Sequence, residues 1–463
     1  MITGRTIRNF NRSTLRGSMN AIDWDPQGRV CDIVGTVIEA ILPNTPIGSI
    51  VSISAPVPGG QILAEVAGFK NERALLIPFS SVHGVAPGSP VKGMKILNQI
   101  PVGDHLLGRI IDPMMQPLYG PKIDSVSETG DFALLERDAP NPMTRQRVSQ
   151  PFSLGIRCID GLLTFGEGQR IGIMAGSGVG KSVMLGMIAQ GSDADVNVIG
   201  LIGERGREVR EFIERDLGPE GLARSVVVVV TGDQSPLLRI RAAKVVTAIA
   251  EHFASRDKKV LVMMDSLTRV AMAQREIGLA VGEPPTTKGY PPSVFSLLPK
   301  LLERCGPQAR GSISGLYTVL VDGDDFNEPI ADAARSILDG HVVLSRTLAA
   351  RHHFPAIDIT NSTSRVMHDI VDRDHQDAAG FIKMLMGTYQ ENFDYVQIGS
   401  YQAGTNPTLD TAIRLMPSIE KFLKQDRTEL CSYEKALEQL AVIVHGPNRA
   451  NSGEYVDGQN LSA

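Results

Sequence analysis

The chain has 463 residues, with 51 acidic against 46 basic side chains and a formal net charge of −5; that length holds two or three domains with an ample core. A mean hydropathy near zero and 42% hydrophobic residues describe a globular chain without an apolar run of membrane-spanning length, and the mild acidity argues against nucleic acid as the main partner. The start, MITGRTIRNFNRS, lacks the apolar core of a signal peptide, and Cys31, Cys158, Cys305 and Cys431 lie far apart with no Cys-x-x-Cys and no histidine spacing for zinc, which reads as reduced thiols in a cytoplasmic protein.

Residues 1–27 form a basic arm. Arg5, Arg8, Arg12 and Arg16 precede the first acid, Asp23. At roughly 100° per residue they share one side of a helix, with Ile7 and Phe10 opposite. Two readings stay open: an amphipathic arm for a membrane surface or a partner, and a frayed basic tail. Residues 28–92 are β-rich, with Val30–Ile41, Ile47–Ile53, Gln61–Val66 and Ala74–Pro78 separated by turn signals such as Pro-Val-Pro-Gly-Gly. The pattern predicts a small β-barrel. A nucleic-acid-binding barrel would carry stacking aromatics among basic residues. Only Trp24 and Phe69 are near, so the barrel reads as an assembly collar. Residues 93–150 read as a connecting segment kept extended by prolines.

From 151 to 372 apolar strand-like runs alternate with helical stretches, which predicts a parallel sheet covered on both faces. The strands fall at Gln169–Met174, Asn197–Ile202, Ser225–Thr231, Lys259–Met264, Ser314–Val321, His341–Leu344 and Ala356–Ile359. Ligands bind such sheets beyond the carboxyl ends of the strands. From 373 to 445 the spacing is helical: Phe381, Leu385 and Tyr389 recur at every fourth position, and Ile413–Leu440 looks similar. Residues 446–463 are a polar tail that reads as disordered.

The stretch Ile171–Val183 organises the chain. A buried strand leads into a turn holding Gly176, Gly178 and Gly180, and Lys181-Ser182 open a helix-forming stretch from Val183 to Ala189. This is the phosphate-binding P-loop: glycines turn backbone N–H groups inward around phosphate oxygens, and the helix N-terminus adds positive charge. The nucleotide-binding residues are Ala175, Gly176, Ser177, Gly178, Val179, Gly180, Lys181, Ser182 and Val183. The strict pattern begins with glycine, where this chain has the small Ala175. Lys181 neutralises β/γ-phosphate charge and the Ser182 hydroxyl suits Mg²⁺. Val260-Leu-Val-Met-Met-Asp265 is an apolar strand ending in a carboxylate, a Walker-B arrangement in which Asp265 helps hold Mg²⁺. Glu204 ends the strand Asn197–Ile202. It either faces the γ-phosphate and orients the attacking water, or pairs with Arg205, Arg207 or Arg210 on a solvated face.

These residues are familiar. Ala175-Gly-Ser-Gly-Val-Gly-Lys-Ser, Gly203-Glu-Arg-Gly-Arg-Glu, Met264-Asp-Ser-Leu-Thr-Arg269, Gly278-Leu-Ala-Val-Gly-Glu-Pro-Pro, Asp322-Gly-Asp-Asp, Leu338-Asp-Gly-His-Val-Val-Leu-Ser-Arg346 and Phe354-Pro-Ala-Ile-Asp358 occur in fixed order. With them the chain, from about Gly28 to about Gln425, resembles the flagellar protein-export ATPases. It is similar to the type III secretion ATPases, and more distantly to the catalytic subunit of rotary ATP synthases. The resemblance implies an α/β fold with a RecA-like P-loop NTPase core, an N-terminal small β-barrel and a C-terminal helical domain. It implies Mg²⁺-dependent ATP hydrolysis at the subunit interfaces of a homohexamer, supporting protein export.

By the same resemblance Glu204 matches the catalytic glutamate, Arg205 the arginine beside it, and Asp265 the Mg²⁺-associated aspartate. Arg365 matches the arginine finger that reaches a neighbour's γ-phosphate, a role its planar, permanent charge suits; a structural salt bridge is the other reading of it. Phe354 matches the aromatic that packs on adenine, with Tyr401 in the same role from the C-terminal domain. Val281–Tyr290, with Lys288, matches a mobile loop near the central pore. The resemblance further implies partners of the export apparatus: a regulator of the ATPase, a stalk protein, the export gate and chaperone–cargo complexes. It implies a cytoplasmic protein peripheral to the inner membrane; the arm reading of residues 1–22, which rests on their arginine spacing, would make them the contact.

The flagellar reading leans on Tyr395-Val-Gln-Ile-Gly-Ser-Tyr-Gln-Ala-Gly-Thr-Asn-Pro-Thr-Leu-Asp. The alternatives are a virulence-type secretion ATPase, a rotary ATP synthase subunit, a nucleotide-binding subunit that never hydrolyses, and a Rho-like RNA translocase. Glu204 and Arg365 argue against the non-hydrolysing subunit, and the composition of the barrel argues against the RNA translocase.

Overall fold

The computed structural model describes residues 26–56, 60–94, 98–119, 131–321 and 328–446. The basic arm up to residue 25, the tail beyond Gly446 and the Asp322-Gly-Asp-Asp motif lie outside the described residues. The chain divides into two compact units, one ending at Leu97 and the other beginning at Asn98. No helix among the described residues is long and apolar enough to cross a membrane.

In the first unit six strands close into a barrel: β1 (Gln27–Val34), β2 (Val37–Ile41), β3 (Ile50–Ser54), β4 (Gln61–Lys70), β5 (Arg73–Pro78) and β6 (Pro90–Gly93), ordered β1-β2-β5-β4-β3-β6. The run Val30–Ile41, expected as one strand, is a hairpin in which Val34 pairs with Val37. β-Branched residues on both sides of the turn leave the apolar pattern unbroken, so periodicity alone misses it. Ile38, Val51, Ile53, Ala64, Val66 and Leu76 point inward and are fully buried. Closure through β6 leaves no exposed sheet edge.

The second unit is built on a ten-stranded sheet. Its strands are β8 (Arg109–Ile111), β9 (Pro117–Tyr119), β11 (Arg170–Ala175), β12 (Val196–Glu204), β13 (Ser225–Thr231), β14 (Lys259–Asp265), β15 (Gly306–Pro307), β16 (Ser312–Leu320), β17 (Gly340–Leu344) and β18 (Ile357–Ser364). The order is β18-β17-β11-β16-β14-β12-β13-β8-β9, with β15 beside β16. β7 (Gln99–Pro101) and β10 (Phe132–Leu134) pair separately.

Two expectations are corrected here. The connecting segment is part of the sheet: Arg109–Ile111 runs parallel to β13, and Ile111 is fully buried. Three residues between glycine and Asp-Pro are too few to register as a strand. The sheet is also not wholly parallel, because β18 runs antiparallel to β17. A parallel return needs a full crossover, and the segment between Leu344 and Ile357 holds only the single-turn helix α8 defined below.

The helices of this unit include α1 (Arg157–Leu162), α2 (Lys181–Gly191), α3 (Gly206–Glu211), α4 (Pro236–Ala254), α5 (Leu267–Ala280), α6 (Pro292–Leu302), α7 (Pro329–Ile337) and α8 (Arg346–Ala350). After β18 come α9 (Arg373–Glu391), α10 (Pro407–Leu423) and α11 (Tyr433–His445). Strand alternation divides the core in two. Val198, Val228, Val262 and Met264 face α4, α5 and α6. Ile199, Leu201, Val227, Val229, Leu261 and Met263 face α1, α2 and the C-terminal helices, with Leu385, Ile419 and Phe422 packed in the same cluster. Ile413–Leu440, expected as similarly helical throughout, is interrupted after Leu423. The irregular residues 424–432 between α10 and α11 reach back to α1 and to Phe354.

Candidate active site

β11 lies inside the sheet between β16 and β17, and its end at Ala175 is buried. The loop that follows is anchored by Val179, 2% exposed, while Ser177 and Gly178 are exposed. Gly178 and Gly180 take φ of +80° and +84°, backbone that side-chain-bearing residues rarely adopt. Gly180 ends the loop as the N-cap of α2, whose first residues are Lys181 and Ser182. The loop and helix N-terminus thus form an anion cradle at the carboxyl edge of the sheet.

Three strand ends deliver the charged groups to this edge. Lys181 Nζ is ion-paired with Asp265, the last residue of β14, and lies 3.7 Å from Glu204 Oε1, at the end of β12. β12 and β14 are parallel neighbours, with Leu201 opposite Asp265, so the two carboxylates leave the sheet at the same edge. Asp265 Oδ1 also accepts a 2.6 Å hydrogen bond from Thr318 Oγ1 of β16. Burial pulls the Lys181 ammonium down, but the charges of Asp265 and Glu204 outweigh it and hold its pKa above the ordinary value. Burial and the nearby Asp265 charge push Glu204 up to about 7, against the pull of Lys181. A carboxylate there orients or deprotonates water at neutral pH.

The surface pairing that competed for Glu204 goes elsewhere. Glu208 takes Arg205 at 2.9 Å, and Glu214 takes Arg210 at 2.7 Å. Arg205 itself is exposed at the start of α3 and pairs with Glu208. Ser182 and Asp265 are hard oxygen donors of the kind Mg²⁺ accepts. Among the described residues no group of three or more His, Cys, Asp or Glu side chains is placed to hold a metal. A hydroxyl and a carboxylate at the phosphate loop are a donor set that fits a Mg²⁺ bound together with nucleotide phosphates.

Phe354 is brought to the loop: its ring carbons lie 3.3 Å from where a Cβ on Gly180 would sit, and the ring is 41% exposed. Tyr401 stands elsewhere in this chain: its hydroxyl lies 2.9 Å from Asp410 Oδ1 and 3.1 Å from Asn406 O, at the start of α10. Phe354 O instead accepts from Gln425 N, just past the other end of that helix. Seventeen residues of helix, about 25 Å, separate the two ends. Arg365 is also apart from the loop within one chain. It follows β18, whose Ser364 pairs with Gly340 at the start of β17, whereas the loop follows Ala175, which pairs with Leu344 at the end of β17. Arg365 is exposed, with Nη1 and Nη2 donating to Leu338 O and Arg335 O.

Sequence reading missed Thr318 and Arg346. A threonine inside an apolar strand gives no signal of the carboxylate across from it. Arg346 stood only within a longer motif, yet its guanidinium packs at Gly176.

Comparison with known proteins agrees with this architecture. Residues 30–95 match the beta-barrel domain of the ATP synthase alpha/beta family, 155–364 its nucleotide-binding domain, and 371–442 the T3SS EscN ATPase C-terminal domain. The "Flagellum-specific ATP synthase" of Bacillus subtilis is 51% identical over 90% of this chain and 94% of its own length. The "Type 3 secretion system ATPase" of Xanthomonas euvesicatoria is 47% identical over 90% and 93%. The assembled ATPase EscN of the enteropathogenic E. coli type III secretion system superposes with a TM-score of 0.85 at 47% identity, covering 90% of this chain and all of that one. The chain therefore belongs to the family of flagellum-specific ATP synthases and type 3 secretion system ATPases, and is a P-loop ATPase.

Proposed function

We propose that this ATPase hydrolyses Mg²⁺-ATP at the subunit interfaces of a homohexameric ring and thereby energises export through a flagellar type III apparatus. Ala175–Val183 hold the phosphates by their N–H groups, and Lys181 places its charge on the β/γ-phosphates. Ser182 and Asp265 would hold a Mg²⁺ that enters with the nucleotide, which would neutralise phosphate charge. Glu204 orients the attacking water in line with the γ-phosphate and takes its proton. Because Glu204 acts ionised, kcat/KM falls as pH drops through about 7. Phe354 supports the base.

The observation that carries the reading is the division of charge within one chain. Lys181, Asp265 and Glu204 meet beneath the loop, while Arg365 stands at the other edge of the sheet. A neighbour's Arg365 completes each site, and one kind of subunit supplies both halves of every interface. The assembled form of the EscN relative supports a ring. Its structure "in complex with its central stalk EscO" supports a stalk partner for this chain as well. The barrel acts as the collar of the ring. Residues 1–22 meet a regulator or the inner membrane, and liposome flotation of full-length protein against a chain starting at Asn20 tests the latter; equal flotation would exclude it. The export gate and chaperone–cargo complexes are the remaining partners.

The decisive test mixes two inactive variants, Glu204→Gln and Arg365→Ala. Random mixing restores about a quarter of the interfaces, so ATPase activity reappears on mixing. No recovery, with ring assembly verified, would place both residues in one subunit's site and refute the shared interface. Flagellar export is tested separately by complementing a strain that lacks its own flagellar ATPase. Rescue of a virulence-type secretion mutant instead would give the chain the role named for its Xanthomonas relative.

A further inference from the structure

Two of the three loop glycines are explained by their backbone. Gly178 and Gly180 take positive φ, but Gly176 is not among the positive-φ residues. A side chain at 176 is excluded by Arg346 instead. A Cβ there would fall 2.5 Å from Arg346 Nε, 2.6 Å from Nη2 and 2.9 Å from Cζ. Topology puts the guanidinium in that place. β17 runs parallel to β11 with Leu344 opposite Ala175, so Arg346 leaves the sheet at the level where the loop begins. Ser345 fixes its departure: Ser345 N donates to Ala356 O at 2.8 Å, and Ser345 Oγ accepts from Leu348 N at 3.3 Å. The same β17–β18 connection brings Phe354 to Gly180, so it touches the phosphate loop at both ends.

We propose that Arg346 is a positioning residue for the nucleotide. Its guanidinium seats in the space left by the missing Cβ of Gly176, holds the first turn of the loop in its phosphate-binding shape, and adds a fixed positive charge at the end remote from Lys181. This rests on the reading of Ala175–Val183 as the phosphate loop. The ligand is the polyphosphate of a nucleotide. Arginine suits the seat because its planar, permanently charged group packs against a peptide in one orientation, which a lysine ammonium does not. Gly176 is then glycine for its neighbour's sake. Arg346→Ala empties the seat, while Gly176→Ala fills it with a methyl and moves the flexible guanidinium out. One interaction is lost either way, so the two changes are not additive.

The test measures ATP Kd by calorimetry, and KM and kcat, on the full chain, with thermal unfolding as the check on folding. Each single variant raises Kd and KM about tenfold with a smaller change in kcat. The double variant matches the singles, and Arg346→Lys does not restore binding. Should Gly176→Ala fail to fold, Arg346→Gln carries the test and shows the same loss. Wild-type affinity in Arg346→Ala and Arg346→Gln would overturn the proposal, as would a double variant whose loss is the product of the two. Lys181→Ala separates the failures. If wild type binds ATP no better than Lys181→Ala, the phosphate-loop reading falls; if wild type binds and Arg346→Ala binds equally, only the role of Arg346 falls.

Discussion

Arg157 and Arg365 use their guanidinium groups alike, in opposite surroundings. Arg157 is 7% exposed, where α1 meets the C-terminal helices. Its Nε donates to Phe422 O and its Nη2 to Lys424 O, while Nη1 meets both Glu429 and Gln439 at 2.9 Å. Arg365 is exposed and donates to two carbonyls, with no carboxylate partner among the described residues. A buried guanidinium needs a counter-charge and partners for its donors, because uncompensated desolvation costs several kcal/mol. An exposed one can be held in place by carbonyls and keep its charge. Arg157 thus fastens the C-terminal helices to the core, whereas Arg365 is a positioned charge offered outward. Lys181 is intermediate, buried but balanced by Asp265 and Glu204.

The comparison breaks or holds on paired substitutions. Arg365→Ala should lower kcat by about a thousandfold, the scale of a lost arginine finger, and change stability by less than about 0.5 kcal/mol, as for an exposed side chain. Arg157→Ala should do the reverse. It strips Phe422 O, Lys424 O, Gln439 and Glu429 of a buried donor and costs about 3 kcal/mol of unfolding free energy, read as a lower denaturant midpoint. If Arg365→Ala unfolds the protein and Arg157→Ala does not, the two roles have been exchanged.

A third buried charge sharpens the point through pH. Asp160 of α1 is 1% exposed, and burial pushes its carboxyl up to about 7, against hydrogen bonds from Ser153 Oγ and Leu154 N. A carboxyl whose folded pKa is raised stabilises fully below the unfolded value, near 4, and that contribution is lost as pH rises through about 7. Asp160→Asn should therefore remove a loss of up to about 4 kcal/mol between pH 4 and 7. Parallel denaturant titrations of both proteins across that range check it: an unchanged slope would mean that Asp160 stays ionised throughout.

The sequence showed the strands and the phosphate loop because their signals are local. Apolar runs such as Ser225–Thr231 and a glycine-rich turn before Lys-Ser each lie in one short window. What it hid is set by partners far along the chain. Thr318 meets Asp265 across neighbouring strands, Arg157 meets residues 422–439, and Arg109–Ile111 becomes a strand only because β13 lies beside it. The place of Tyr401 is hidden for the same reason, because the length of α10 decides which end of that helix meets Phe354.

Arg73 of the barrel supplies the remaining combination, an exposed guanidinium with a carboxylate. Its Nη1 lies 2.9 Å from Glu39 Oε2, across neighbouring strands β5 and β2. Glu39 raises the Arg73 pKa, first through the hydrogen bond, but water reaches the exposed guanidinium and competes for its charge. If burial rather than pairing decides what an arginine contributes, Arg73→Ala should shift the unfolding midpoint only slightly, and the shift should vanish near 1 M salt, where charges are screened within a few ångströms. Arg157→Ala, which removes a buried guanidinium, should keep most of its effect in the same salt. Equal salt sensitivity of the two would mean that pairing, and not burial, separates the arginines of this chain.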